Sequence, residues 1–206
     1  MKTLIAIPAM DMMHTQFFAS VLSLRKLDGT EICVSGSSLV YEARHVLAHK
    51  AVSEGFDRVL WLDSDMHFGP DLMERLAADM DLGLDIVSAV YFTRKAPIQP
   101  VAYEIVHDIP NAKGEMIPYS KSVTHIPEGL FEVEGVGFGA VMTTTDVIRR
   151  VGRLPFFPME GYGEDLSFCR RAREAGAKVW CDGRIKVDHV GQSFFNYDSW
   201  TQSRKE

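Results

Sequence analysis

The chain has 206 residues, with 22 basic and 28 acidic side chains and a formal net charge of −6, a balance that speaks against a general nucleic-acid binder. Its 46% hydrophobic content suffices for a substantial core without staples. Three scattered cysteines, Cys33, Cys169 and Cys181, give neither a disulfide framework nor zinc-ligand spacing.

No apolar run approaches the roughly 20 residues that a membrane span needs. The chain enters a strand-like segment directly, without the longer apolar stretch of a signal peptide. The expectation is one soluble cytoplasmic domain over residues 1–206, with no transmembrane segment and no nucleic-acid partner.

Residues 3–8 read as a buried strand, and 15–25 as a helix with Phe17, Phe18, Val21, Leu22 and Leu24 on its inner side. A second strand covers 31–35. A helix follows over about 39–54, with Leu39, Ala43, Val46, Leu47 and Ala51 at helical spacing, Ser37 or Ser38 as cap and Gly55 as stop. Residues 58–62 form an apolar strand, Pro70 opens a helix over 71–80, and 85–91 give another strand. Strands alternating with helices imply a mainly parallel sheet.

Beyond residue 92 the pattern changes. Segments 98–106 and 116–119 flank a turn at Asn111-Ala112-Lys113-Gly114, as in a hairpin. Strands are expected at 131–134, 138–144 and 178–181, and a helix over 165–175 with Phe168, Cys169 and Ala172 inside. The aromatic segment from Phe194 to Trp200 reads as core or as a dimer contact. The fold class is α/β, with helices on both faces of a mainly parallel sheet and antiparallel additions.

Ligands of such sheets bind beyond the carboxyl ends of the strands, where Asp63-Ser64-Asp65 stands. Residues i and i+2 of an extended chain share a face. Two carboxylates placed so repel unless a cation lies between them, and hard oxygen ligands suit Mg²⁺ or Mn²⁺. The same residue types also build ordinary turns.

Gly161-Tyr162-Gly163-Glu164-Asp165 runs into the next helix, and Glu164 or Asp165 would serve equally as its cap. His189 follows the final strand, where a histidine can be a ligand or structural. Arg44, near a helix start, is either a phosphate or base contact or part of a solvated face. The glycines of Gly135-Val136-Gly137-Phe138-Gly139-Ala140 suggest a dinucleotide loop, but strand rather than helix follows them.

Taken in order, Trp61-Leu62-Asp63-Ser64-Asp65, Gly137-Phe138-Gly139, the run from Gly163 to Ala172, and Asp188-His189 resemble the nucleotide-sugar glycosyltransferases of the GT-A fold, in particular the family-two-like enzymes of bacteria and phages. The resemblance covers nearly the whole chain. It implies a single GT-A (nucleotide-diphospho-sugar transferase) domain, with a nucleotide-binding half over 1–92 and an acceptor half over 93–206.

By that resemblance Asp65 binds Mn²⁺ or Mg²⁺, Asp63 touches the metal or the ribose, and His189 is a further ligand or a diphosphate contact. Pro8, Ala9, Asp11 and Arg44 would border the nucleotide. The partners are a nucleotide-sugar donor and a sugar, lipid-linked or protein acceptor, with a homodimer as a further expectation.

The implied reaction is metal-dependent glycosyl transfer, inverting by expectation, with retaining transfer and a non-catalytic binder as alternatives. Asp165 would be the base and Glu164 would orient the acceptor. The helix end is expected to lower the pKa of Asp165.

Overall fold

The computed structural model describes residues 1–191 and 196–202. β1 (Thr3–Ala9) is buried along its whole length, as a run without polar breaks requires when both faces of a sheet are covered. It is followed by α1 (Thr15–Ser23), β2 (Thr30–Gly36), α2 (Val40–Ser53) and β3 (Arg58–Leu62), then by β4 (Met66–His67), α3 (Leu72–Met80) and β5 (Ile86–Val90). A hairpin of β6 (Ala102–Pro110) and β7 (Met116–Ser122) turns at residues 111–114, where Gly114 takes φ 81° and Asn111 Oδ1 accepts from the Lys113 N–H at 2.8 Å. The remaining elements are β8 (Leu130–Val133), β9 (Gly135–Val136), β10 (Ala140–Thr144), α4 (Thr145–Val151), α5 (Glu164–Glu174), β11 (Val179–Lys186), β12 (Asp188–His189) and α6 (Tyr197–Gln202).

Seven strands form the central sheet in the order β2-β1-β3-β10-β5-β11-β8. β2 and β3 run parallel to β1, and β11 runs parallel to β5. β10 is antiparallel to both β3 and β5, and β8 is antiparallel to β11. The sheet is therefore mainly parallel with antiparallel insertions. Strands from both ends of the chain interleave in it: β10 enters between β3 and β5.

Ile5, Ile7, Leu60 and Leu62 point to the side covered by Phe17 of α1 and by Leu72, Met73 and Leu76 of α3. Leu4, Ala6, Val59 and Trp61 point to the side covered by Leu47 and Ala51 of α2, Val147 and Ile148 of α4, and Phe168 and Ala172 of α5. On that second side four aromatic rings lock together. Phe156 stacks on Phe168 at 4.7 Å between centroids, and meets Trp61 at 4.9 Å and Phe138 at 5.2 Å. The block ties the start of α5 to β3, and so fixes two segments whose ends approach each other above the sheet.

The structure corrects several sequence expectations. Phe18 and Leu22 are exposed, because α1 buries only a narrow stripe through Phe17, Ser20 and Leu24. Leu39 and Val46 are exposed for the same reason; Ala48 and Arg44 lie on the buried side of α2 instead. Neither Ser37 nor Ser38 caps α2 in the usual manner: Leu39 holds the cap position, and Ser37 Oγ accepts from its N–H at 3.1 Å.

The first hairpin strand begins at Ala102 rather than residue 98, and β11 continues through an irregularity to Lys186 rather than ending at 181. α4, absent from the sequence reading, is too short to show periodicity; its signal is Thr144, whose Oγ1 accepts from the Val147 N–H at 3.2 Å. Residues 194 and 195 of the aromatic segment lie outside the described residues. Trp200 is core, stacked on Phe92 at 5.4 Å. No helix among the described residues is long and apolar enough to cross a membrane.

Phe156 meets the rings of Trp61, Phe138, Phe168 and His45, so its removal leaves a cavity that the rigid sheet cannot close. Phe156→Ala is expected to cost about 3–5 kcal/mol, measured by urea unfolding against the wild-type chain.

Candidate active site

A cleft of about 870 Å³ opens where the carboxyl ends of β1 and β3 meet the start of α2. Pro8, Ala9, Asp11, Arg44, Asp63, Asp65 and Glu164 line it, together with Arg94, a residue the sequence reading passed over. His189 and Asp165 stand behind this wall. The first meets Asp65, and the second adjoins Glu164 at the start of α5.

The loop after β1 is joined to the acidic turn through the His14 N–H, which donates to the Ser64 carbonyl at 3.1 Å. The turn itself is fixed by donation from the Asp63 N–H to the Gly139 carbonyl at 3.0 Å and from the Val190 N–H to the Asp65 carbonyl at 2.7 Å. Elements far apart in the chain therefore set the positions of both carboxylates.

The two aspartates turn to different partners. Asp63 Oδ1 accepts from Arg44 Nη2 at 2.8 Å, and Asp65 Oδ2 pairs with Arg94 Nη1 at 2.8 Å and with His189 Nε2 at 3.3 Å. Two arginines thus supply the positive charge that the carboxylate spacing demands. Among the described residues no three acidic, histidine or cysteine side chains converge as a preformed metal cage. Of the three ligands expected from the sequence, the structure joins Asp65 and His189 and turns Asp63 toward Arg44.

Asp65 and His189 nevertheless suit a divalent cation by the chemistry of their donors. The His189 Nδ1 lies 2.9 Å from the Phe92 carbonyl, which can only accept, so Nδ1 carries the proton. Nε2 faces the Asp65 carboxylate, to which it donates when it carries a proton and beside which it offers its lone pair to a cation when it does not. A histidine oriented through its other nitrogen by a backbone carbonyl is the usual support of a metal-ligating imidazole. The remaining coordination positions of Mg²⁺ or Mn²⁺ are commonly filled by substrate phosphates and water.

Arg44 is only 2% exposed. Its Nη2 holds Asp63, its Nε meets Glu164 at 3.3 Å, and its guanidinium lies over the rings of Phe138 and Phe156 at 5.4 and 5.9 Å. The Nη1 group has no hydrogen-bond partner although it is buried beside the cleft. A buried charged donor left unpaired is costly, and a water or ligand oxygen at the cleft would relieve that cost. Burial opposes the charge of Arg44, but Asp63 and Glu164 outweigh it and raise its pKa.

Tyr91 is the second residue that the sequence reading missed. It ends the β5 region, is buried, and accepts at its hydroxyl from the Gly139 N–H at 3.1 Å. A Cβ on Gly137 would fall 2.0 Å from that hydroxyl, and one on Gly139 would fall 2.9 Å from the ring. The two glycines of Gly137-Phe138-Gly139 therefore make room for a phenol ring rather than for a dinucleotide. Tyr91 packs edge-on against His189, with centroids 5.6 Å apart, and so supports the imidazole.

Burial raises Asp63, with Asp65 and Glu164 adding to the effect against the pull of Arg44. Burial also acts upward on Asp65, but His189 and Arg94 prevail and hold it below the ordinary range. Asp165 departs from the sequence expectation: burial and the adjacent Glu164 charge push it up to about 6, overriding the helix start and the Leu166 N–H that it accepts at 2.7 Å. Its carboxylate is thus a stronger base than an exposed aspartate.

No known protein family matches the chain, and no curated protein sequence does so either. The fold is of GT-A type: a mixed α/β domain around a mainly parallel sheet. Among solved structures it is similar to A197 from STIV, with 18% identity, a TM-score of 0.70, and coverage of 93% of this chain and 87% of that one. It is also similar to GalNAc-T7, crystallised with UDP, GalNAc and Mn²⁺, with 10% identity and a TM-score of 0.64. That match covers 99% of this chain but 47% of GalNAc-T7, about half its length.

The elevated Asp165 has a consequence for stability. Between the unfolded pKa near 3.9 and the native value of about 6, the native state holds a proton that the unfolded chain has lost. Linkage then makes stability fall as pH rises through that window. Asp165→Asn removes this term. The difference in unfolding free energy between Asp165→Asn and wild type should move in favour of the variant by on the order of 1–3 kcal/mol from pH 4 to pH 7, read by denaturant titration at each pH.

Proposed function

We propose that the chain moves a sugar from a nucleotide-sugar donor to an acceptor hydroxyl at the cleft above β1 and β3, by an inverting displacement. The observation that carries this reading is the Asp65–His189 pair at the end of β3, with its imidazole pinned through Nδ1 and Nε2 turned to the carboxylate. The UDP, GalNAc and Mn²⁺ of GalNAc-T7 support it, since that protein shares the fold. All three cysteines are free thiols, which supports a reducing compartment such as the cytoplasm.

Pro8, Ala9 and Asp11 border the space for the nucleoside, and Asp63 accepts from a ribose hydroxyl. The unpaired Arg44 Nη1 donates to a donor oxygen. Asp65 and His189 are the residues that would hold Mn²⁺ or Mg²⁺, which when bound neutralises charge on the departing diphosphate. Arg94, released from Asp65, adds a guanidinium to the same phosphates.

In the transfer the acceptor oxygen forms a bond to the anomeric carbon while the carbon–phosphate oxygen bond breaks, and the nucleoside diphosphate leaves with the electron pair. Asp165 takes the hydroxyl proton. Glu164, at the cleft wall, orients the acceptor by accepting a hydrogen bond. Among the described residues no cationic side chain is hydrogen-bonded to Asp165, whereas Glu164 is engaged by Arg44. That difference favours Asp165 as the base.

The donor site is tested by thermal shift. A nucleoside diphosphate should stabilise the fold only with Mn²⁺ or Mg²⁺ present, by about 2.7 kcal/mol at a hundredfold excess over Kd. Asp65→Asn should abolish the metal-dependent part. The variant also loses the apo pairing with Arg94 and His189, so its stability without ligand should fall modestly rather than rise. A nucleotide shift indifferent to chelator would remove the metal from the reading.

The chemistry is tested by single-turnover transfer with donor bound. Asp165→Asn should retain donor affinity and lose roughly 10²–10⁴-fold in rate, with Glu164→Gln less affected. Product anomeric configuration, read by NMR, should be opposite to that of the donor. Retained configuration, or near-normal transfer by Asp165→Asn, would overturn the assignment of the base.

A further inference from the structure

β2 is an outer strand of the seven-stranded sheet, and among the described residues its only ladder is with β1. An open row of main-chain donors and acceptors is a template for another strand, and proteins blunt such edges with short strands, prolines, lysines or bulges. The other edges follow that practice: β8 has four residues, and β7 carries Pro118 and Lys121. β2 does not. It is seven residues long, contains no proline or lysine, and pairs with β1 without a register shift. Its one charge, Glu31, is met by Lys2 at 3.1 Å.

The side chains of β2 sharpen the anomaly. Ile32 and Val34 stand in register with Ile5 and Ile7, so they point to the sheet face covered by α1 and α3. Yet they are 43% and 50% exposed. On the same layer α1 exposes Phe18 and Leu22, one turn apart, at 55% and 67%. These large apolar residues lie on the sheet face that borders the unpaired edge.

We infer that β2 pairs with β2 of a second copy of this chain, antiparallel about a two-fold axis through Cys33, to give a homodimer with one continuous sheet. The strand is self-complementary in that register. Ile32 lies opposite Val34 of the second copy and Val34 opposite its Ile32, which places four aliphatic side chains together on one face. Glu31 lies opposite Ser35 and Thr30 opposite Gly36, so no like charges meet.

Cys33 lies opposite its own symmetry mate on the other face, where it packs half-buried beside the core under α2. Because the two β2 strands run in opposite directions, the clefts at their carboxyl ends open at opposite ends of the dimer. Each active site stays clear of the interface.

The test uses the full chain without ligand. Light scattering coupled to gel filtration should show a dimer for the wild type and a monomer for Val34→Lys at the same concentration, with unchanged far-ultraviolet circular dichroism. Ile32→Glu serves as a second edge variant should Val34→Lys not fold. Mild oxidation should trap the wild type as a disulfide-linked dimer. Cys33→Ser should lose the cross-link while remaining a dimer by light scattering. A monomeric wild type, as expected if the edge instead receives a strand of another protein, overturns the proposal. So does a dimer that survives both edge variants, or a cross-link that persists in Cys33→Ser.

Discussion

A guanidinium sealed away from water is tolerated only if negative charge accompanies it, and Arg44 is sealed by the rings of Phe138 and Phe156. Its partners come from two distant places: Asp63 at the end of β3 and Glu164 at the start of α5. The ion pairs therefore bind the two acidic segments of the chain into one cleft. If Arg44 moved, Asp63 and Glu164 would be left as close like charges in a desolvated wall. The rest of the site depends on this contact, because Asp65 follows Asp63 in the same turn and Asp165 follows Glu164 in the same helix.

A second support lies under the first. Tyr91 occupies the volume that side chains on Gly137 and Gly139 would have taken, and its ring backs His189. The order β3-β10-β5 makes this possible, since it sets the glycines before β10 between the ends of β3 and β5. The short antiparallel strand β10 thus has a local effect: the glycines that lead into it leave room for the Tyr91 ring beside His189. The aromatic block around Phe156 holds α5 against β3.

The charges of the cleft are balanced in pairs rather than in bulk. Asp65 is held low by His189 and Arg94, Asp63 shares Arg44 with Glu164, and Asp165 is raised by burial and by Glu164. Such opposed shifts among neighbouring carboxylates accompany acid and base roles in one site. Burial pushes all three aspartates upward, and the charged partners that packing sets beside each decide the direction it finally takes.

The sequence by itself determined the alternation of strands and helices, the acidic turn after β3 and the glycine entry to α5, because these are local patterns of period and turn chemistry. It also placed Asp63, Asp65, Arg44 and Glu164 as candidates, and the structure brings all four to the wall of one cleft. Tertiary structure alone decided that Arg44 faces inward between two carboxylates, that Asp63 turns to it, and that Arg94 joins Asp65. It alone gave Gly137 and Gly139 their purpose through Tyr91, and left Phe18, Leu22, Ile32 and Val34 exposed. Helical and strand periods mark which side chains share a face, but they carry no information about how wide a stripe the neighbouring layer covers or which distant charge arrives beside it. Those quantities are set by the strand order and by the packing of residues far apart along the chain.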